Sequence, residues 1–133
     1  MTPQLHVVFY RPLPQAAGPV EKEYEAAVRQ PKDRAKIDAM LDCLGEHGFS
    51  CPGIRHEMIK GVRERIHEPK IKAFGSEHRF LAGYAPRLAP DGRRILVLLK
   101  YLNKKRRRLR SGDIETAKDR LKQVRRERGG GDA

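Results

Sequence analysis

Apolar residues recur along the chain at spacings that alternate between those of strands and those of helices. The first apolar run, residues 5–10, is rich in β-branched and aromatic side chains and predicts a strand. Apolar side chains then repeat every three or four positions over residues 19–30, which open with Pro19, and over residues 31–47, which open with Pro31. Because Pro31 interrupts the first repeat, we expect two helices that form a hairpin over one face of a sheet.

The second half of the chain returns to strand-like patterns. Residues 49–61 contain one proline and two glycines, which predicts an irregular loop. Three strands are then expected, at residues 62–67, 78–84 and 94–101. The last of these is continuously apolar and suits a sheet centre, and the Pro and Asp-Gly turn signals before it predict an antiparallel hairpin. A final helix is expected to begin at Ser111 or Asp113 and to end at the glycines 129–131.

This order of elements indicates an α+β fold, with helices packed on a mainly antiparallel sheet. The length of 133 residues suits one domain, which we assign to residues 1–128, followed by a flexible Gly-rich tail at 129–133. We expect no signal peptide, because the apolar run 5–10 has no basic segment before it. No membrane span is expected either, since no stretch approaches the roughly 18 apolar residues that a span needs.

Positive charge is concentrated near the C-terminal end. The chain carries 29 Lys and Arg against 17 Asp and Glu, a formal charge of +12. Residues 100–128 hold 13 of the basic residues and only four acidic ones, with the densest run at 104–110. Such a block is neutralised by a polyanion, most simply a nucleic acid, or else it is a solvated basic tail without a dedicated site. An acidic protein or an anionic lipid is the next candidate partner.

The two cysteines allow a metal site to be considered. Cys43, His47, Cys51 and His56 follow a C-x3-H-x3-C-x4-H spacing. That spacing matches no common zinc module, and Cys43 beside Leu44 is typical of a small buried hydrophobic residue. We therefore predict no metal and no cofactor. Two cysteines are also too few for a disulfide framework, which favours a reducing cytoplasm.

Four segments resemble the RelE/HigB superfamily of bacterial toxins, in particular its phage-derived, HigB-like branch. The segments are Gln30-Pro31-Lys32-Asp33-Arg34-Ala35-Lys36-Ile37, Ile59-Lys60-Gly61-Val62-Arg63-Glu64-Arg65-Ile66, His78-Arg79-Phe80-Leu81, and the apolar strand 95–99 followed by Asn103-Lys104-Lys105 and the helix 113–121. The resemblance covers about residues 20–125 and implies a RelE-like sheet, an N-terminal helix hairpin and a basic C-terminal helix. Arg65 directly follows Glu64 here, which would turn Arg65 to the other sheet face unless the strand bulges.

The resemblance implies a ribosome-dependent mRNA endonuclease, the toxin of a type II toxin–antitoxin pair. Such enzymes cut without a metal: the ribose 2′-OH attacks the adjacent phosphate, and cationic donors stabilise the phosphorane. The residues expected to be catalytic are Arg65, Arg79, Lys104, Lys105 and Tyr101. Those expected to bind RNA are Lys100, Arg106, Arg107, Arg108 and Arg110. Tyr84, His67 and His78 are further candidate acids or bases.

Each assignment has a plainer alternative. In these alternatives Arg65 and Arg79 pair with neighbouring glutamates, the twin lysines bind phosphate without proton transfer, and Tyr101 is a packing residue. The implied partners are a helix-turn-helix antitoxin, the ribosome and mRNA, with no membrane. We expect the antitoxin to mask the basic face or to displace the closing helix. Two other functions remain open: a ParE-like toxin that poisons gyrase, and a basic nucleic-acid-binding protein without catalysis.

Overall fold

The computed structural model describes residues 4–12, 18–104 and 111–126 and confirms the α+β class. In chain order the elements are β1 (Leu5–Phe9), α1 (Pro19–Ala27), α2 (Pro31–His47), a 3-10 turn (Gly48–Ser50), β2 (Ile54–Met58), β3 (His67–Ala73), β4 (Ser76–Leu88), β5 (Arg94–Lys104) and α3 (Ser111–Arg125). Within these described ranges, none of the helices has the length and apolar character needed to cross a membrane.

The five strands form one sheet in the order β1-β5-β4-β3-β2. β1 runs parallel to β5, and the other neighbouring pairs are antiparallel. The predicted hairpin is confirmed, since β4 pairs with β5 over most of its length. The apolar run in β5 lies between β1 and β4 and is buried, as expected for a central strand.

The predicted helix hairpin covers one face of the sheet. Tyr24 of α1 packs with Phe9, Phe80 and Tyr101, with ring centroids 5.4–6.1 Å from its own. α2 has the predicted bounds and ends before Gly48, whose φ of 64° suits glycine at a helix end. α1 stops at Ala27 rather than at residue 30, because a residue that precedes a proline is pushed to extended backbone.

α3 packs on the opposite face of the sheet. Its Leu121 approaches Gly83 so closely that a Cβ at Gly83 would stand 2.8 Å from a Leu121 methyl group. Gly83 and Phe80 are an odd number of positions apart in β4, so they point to opposite faces. The helix hairpin and the C-terminal helix therefore enclose the sheet from both sides.

Two predictions about the second half are wrong. Residues 62–67 do not form a strand: the chain there is irregular, and strand β3 begins only at His67. Residues 49–61, expected to be a loop, contain β2 at the sheet edge. Because the last four residues of β2 are exposed and β3 contains Pro69, neither strand shows the apolar alternation by which strands are recognised.

The two cysteines are joined in a disulfide, against the expectation of a free, buried Cys43. The 3-10 turn after α2 brings Cys51 back to the last turns of the helix, with a Cα–Cα distance of 5.8 Å to Cys43. Both sulfurs are therefore engaged with each other, and the metal-like spacing gathers no ligand set in the described residues.

Candidate anion-binding site

A pocket of about 360 Å³ opens where β3, β4 and β5 meet the end of α3. Its lining residues are Met58, Arg65, His67, Tyr84, Arg94 and Arg125. Three of the six are arginines and none is acidic. They come from β2, the irregular segment before β3, the three following strands and α3, so only the folded chain brings them together.

The three arginines carry their charges without carboxylate partners. Among the described residues, none of Arg65, Arg94 and Arg125 forms an ion pair. The Arg94 guanidinium instead lies over the ring of Tyr84, with its central carbon 3.6 Å from the ring centroid. All three residues are exposed, and a guanidinium presents a planar fork of donors that fits an oxyanion.

His67 lies in this pocket as an uncharged imidazole at neutral pH. Burial of the ring is the main cause that lowers the pKa of His67 to about 4, with smaller contributions from His56 and from the charges of Arg94 and Arg65. Burial raises the pKa of Tyr84, while the charge of Arg94 opposes that shift. The pocket therefore combines three positive charges with a neutral ring that can accept a proton.

A second histidine, His56, contacts the ring of His67. His56 Nε2 lies 2.9 Å from His67 Nδ1, so the two rings share a hydrogen bond. The ring of Phe49 stacks on His56 at 3.8 Å and on His67 at 5.3 Å between centroids. Tyr84 meets His67 edge-on at 5.1 Å. These contacts fix the plane in which the His67 ring is presented to the pocket.

Arg65 is the one predicted catalytic residue, among those described, that lines the pocket. Arg79 points to the opposite face of the sheet. There it donates to Glu77 Oε1 at 2.6 Å and to Glu68 Oε2 at 3.4 Å. Its side chain is only 12% exposed, so it belongs to a buried network of ion pairs rather than to an open surface.

That network continues along β3. Lys70 pairs with Glu68 at 3.7 Å and with Glu57 at 3.0 Å, and Arg55 reaches Glu77 at 3.4 Å. Glu68 is 3% exposed, and burial raises the pKa of its carboxyl group, although the charges of Lys70 and Arg79 oppose that shift. The acids here neutralise the bases, which is what a buried cluster of charges requires.

Tyr101 and Lys100 also have partners within the fold. Tyr101 is 4% exposed, its hydroxyl lies 2.7 Å from His78 Nδ1, and burial raises its pKa to about 12. The other ring nitrogen of His78 lies 3.3 Å from the Ala73 carbonyl oxygen. Lys100 pairs with Glu23 at 2.8 Å. These contacts favour the packing alternative for Tyr101 and a structural ion pair for Lys100.

The basic run lies largely outside the described part of the chain. Lys104 ends β5, where its backbone is in register with Glu77. The Lys104 side chain lies outside the description, as do Lys105, Arg106, Arg107, Arg108 and Arg110, and so do the glycines expected to end α3.

Sequence reasoning missed Arg94, Arg125 and His56 as site residues. Arg94 offered one signal: it is a charged residue at the very start of the most apolar strand, so its side chain lies at the end of that strand. His56 and Arg125 offered none, because their proximity to His67 and Arg94 depends on strand register and on how α3 crosses the sheet.

Comparisons with protein-family models, with curated proteins and with solved structures find no match to this chain.

Proposed function

We propose that this chain cuts RNA, and that the arginine pocket, meaning the cavity lined by Met58, Arg65, His67, Tyr84, Arg94 and Arg125, holds the reacting phosphodiester. The observation that carries the proposal is the placement, around the imidazole of His67, of three guanidiniums that have no carboxylate partner among the described residues. Cleavage by 2′-OH attack needs a proton acceptor for the hydroxyl and fixed cations for the phosphorane. This pocket holds residues of both kinds.

His67 is the proposed base in this reaction. The 2′-oxygen attacks phosphorus while its proton passes to His67, the bond to the 5′-oxygen breaks, and that oxygen takes a proton from a second group. A bound phosphate brings negative charge next to His67, which raises the pKa of the imidazole towards neutrality and makes it a better acceptor. Arg65, Arg94 and Arg125 donate to the phosphorane oxygens, whose charge grows in the transition state.

The biological role that we propose is that of a RelE/HigB-like toxin acting on mRNA in the ribosome, in the cytoplasm, with a helix-turn-helix antitoxin. The order of elements supports it: a helix hairpin, an apolar central strand and a closing helix follow one another as the resemblance implies. The charge of +12 supports a polyanionic partner. The antitoxin is then expected to cover the arginine pocket.

Induced expression followed by mapping of RNA 5′ ends tests this proposal. New RNA 5′ ends that carry a hydroxyl group, the counterpart of a 2′,3′-cyclic phosphate on the other product, are the expected result. Arg65→Ala and Arg94→Ala should remove these products while the protein stays folded. The absence of new ends, with or without ribosomes, would contradict the proposal.

A second function is favoured by one observation. Arg79 and Tyr101, which the resemblance marks as catalytic, are held in interior contacts. This is the arrangement expected of a basic RNA-binding protein without catalysis. Such a protein would bind RNA with a steep dependence on salt and leave the RNA intact.

A further inference from the structure

Phe49 lies in a short loop that the disulfide closes. Cys43 is in α2 and Cys51 follows the 3-10 turn, so the two cysteines stand eight positions apart in sequence. Two backbone hydrogen bonds help to shape the loop end, from Cys51 N to the Gly48 oxygen at 3.1 Å and from Ile54 N to the Cys51 oxygen at 3.3 Å. The disulfide ties this loop covalently to the body of the helix.

The ring of Phe49 lies against both histidines. Its plane makes an angle of 14° with the ring of His56 and 15° with the ring of His67. Those two rings are joined by their own hydrogen bond, and His67 lines the arginine pocket. Phe49, in the loop that the disulfide closes, therefore contacts both His56 and His67, and His67 lines the arginine pocket.

We propose that Phe49 is a positioning residue for the arginine pocket, and that the oxidation state of Cys43 and Cys51 controls how His67 is presented there. A dithiol reductant supplies two electrons and two protons, becomes a disulfide itself, and leaves two thiols on the protein. The loop is then free to carry Phe49 away from the imidazoles. This inference rests on the proposed function only in taking the pocket as the site of phosphate chemistry.

The expected consequence is a change in the protonation of His67. The groups that face it are His56 from β2, Tyr84 from β4, Arg94 from β5 and Arg65 from the preceding segment, with Arg125 across the pocket. None of these belongs to the loop that the disulfide closes, whereas Phe49 does. Removal of the Phe49 ring admits water to the imidazoles, so the pKa of His67 should rise towards its ordinary value.

The test is a titration of the histidine ring signals by NMR in the full chain, with the disulfide intact and after reduction. Reduction should raise the midpoint of His67 by about one pH unit. Phe49→Leu should do the same with the disulfide intact, while Phe49→Tyr should restore the wild-type value. Phe74→Leu is the matched control, since Phe74 is half-exposed in the turn between β3 and β4 and should leave His67 unchanged.

Binding of inorganic sulfate, which does not titrate near neutral pH, gives the second readout. Sulfate affinity should rise more steeply below pH 6 in the reduced protein and in Phe49→Leu than in the oxidised protein, because a protonated His67 adds a charge. An identical His67 midpoint in all folded forms would overturn the proposal even if RNA is cut. Arg94→Ala separates anion binding by the pocket from the effect of the disulfide on His67. This variant should lose sulfate binding, while reduction of its disulfide should still raise the His67 midpoint.

Discussion

Two clusters of arginines, one on each face of the same sheet, differ in how their charges are satisfied. On one face, Arg79 is paired with Glu68 and Glu77 and is almost buried. On the other face, Arg65 and Arg94 are exposed in the arginine pocket, where none of the described lining residues is acidic. A cation that is paired with carboxylates stabilises the fold but exerts little electrostatic attraction on a ligand. An unpaired cation is available to bind an anion.

The sequence of β3 explains why none of the described residues that line the arginine pocket is acidic. Along β3 the residues Glu68 and Lys70 alternate with His67 and Pro69, so the charged pair and the uncharged pair point to opposite faces. Arg65 lies in the irregular segment before β3, so it has no strand face, and it lines the same pocket as His67. Strand alternation therefore separates a charged structural cluster from an open cationic one.

The largest expected effect is on catalysis. Arg94→Ala should lower the single-turnover rate of mRNA cleavage on programmed ribosomes by roughly 10²–10³-fold, as loss of a transition-state donor does elsewhere. Its urea unfolding curve should match that of the wild type. Cleavage at full rate by Arg94→Ala would mean that the arginine pocket has no part in the reaction.

Arg79 provides the opposite test. Arg79→Met leaves Glu68 buried with Lys70 as its remaining partner, so the free energy of unfolding should fall by about 2–3 kcal/mol, somewhat less than for a buried pair fully broken. Arg55→Met is the control: it contacts the same Glu77 from a side chain that is 67% exposed, and its loss should cost about 0.5 kcal/mol. A stable Arg79→Met that no longer cuts RNA would return Arg79 to the mechanism.

The sequence predicted the parts of this fold whose patterns are local. Pro31 predicted the start of α2, a glycine at 45 or 48 predicted its end, and the continuous apolar run identified β5. It failed at β2 and β3, where exposed charges and Pro69 hide the strand pattern. These strands exist because their neighbours offer backbone partners, which no local pattern records.

The candidate site was less predictable for the same reason. Arg65, His67 and Tyr84 were recognised as candidates by residue type, but their grouping depends on the pairing of His67 with Ala82 across β3 and β4. Arg125 joins them from α3, far along the chain. Residue chemistry is visible in a sequence, whereas the absence of a neutralising acid becomes visible only in three dimensions.

A smaller effect is expected on the pH dependence of stability. The folded-state pKa of His67 is lowered to about 4 from the ordinary 6.5, so the unfolded chain binds the proton more readily. Stability should therefore fall as pH drops from about 6.5 to about 4 and then level off for this group. The change should be roughly 1 kcal/mol, because the ring is only half-buried and solvent screens it.

This contribution is measured as the difference between wild type and His67→Asn in urea unfolding at pH 7.5 and pH 4.5. Carboxylates that titrate in the same window cancel in that difference. An equal pH dependence in the two proteins would mean that the His67 ring is as readily protonated in the fold as in the unfolded chain, and the pocket would then not hold a neutral base.

The smallest effect separates the two clusters by salt. Each cation that contacts a phosphate releases a counterion, so log affinity for single-stranded RNA falls with log salt by about 0.7 per contact. Arg94→Ala should reduce the magnitude of that slope by about one contact, which amounts to a two- to threefold change in affinity between 50 and 200 mM salt. Arg79→Met should leave the slope unchanged, because Glu68 and Glu77 already neutralise the Arg79 guanidinium in the free protein.

The measurement is RNA binding by fluorescence anisotropy across a salt series, at a temperature where both variants are folded. Equal slopes for wild type and Arg94→Ala, with a reduced slope for Arg79→Met, would mean that RNA lies over the Arg79 cluster and that its binding opens the buried network.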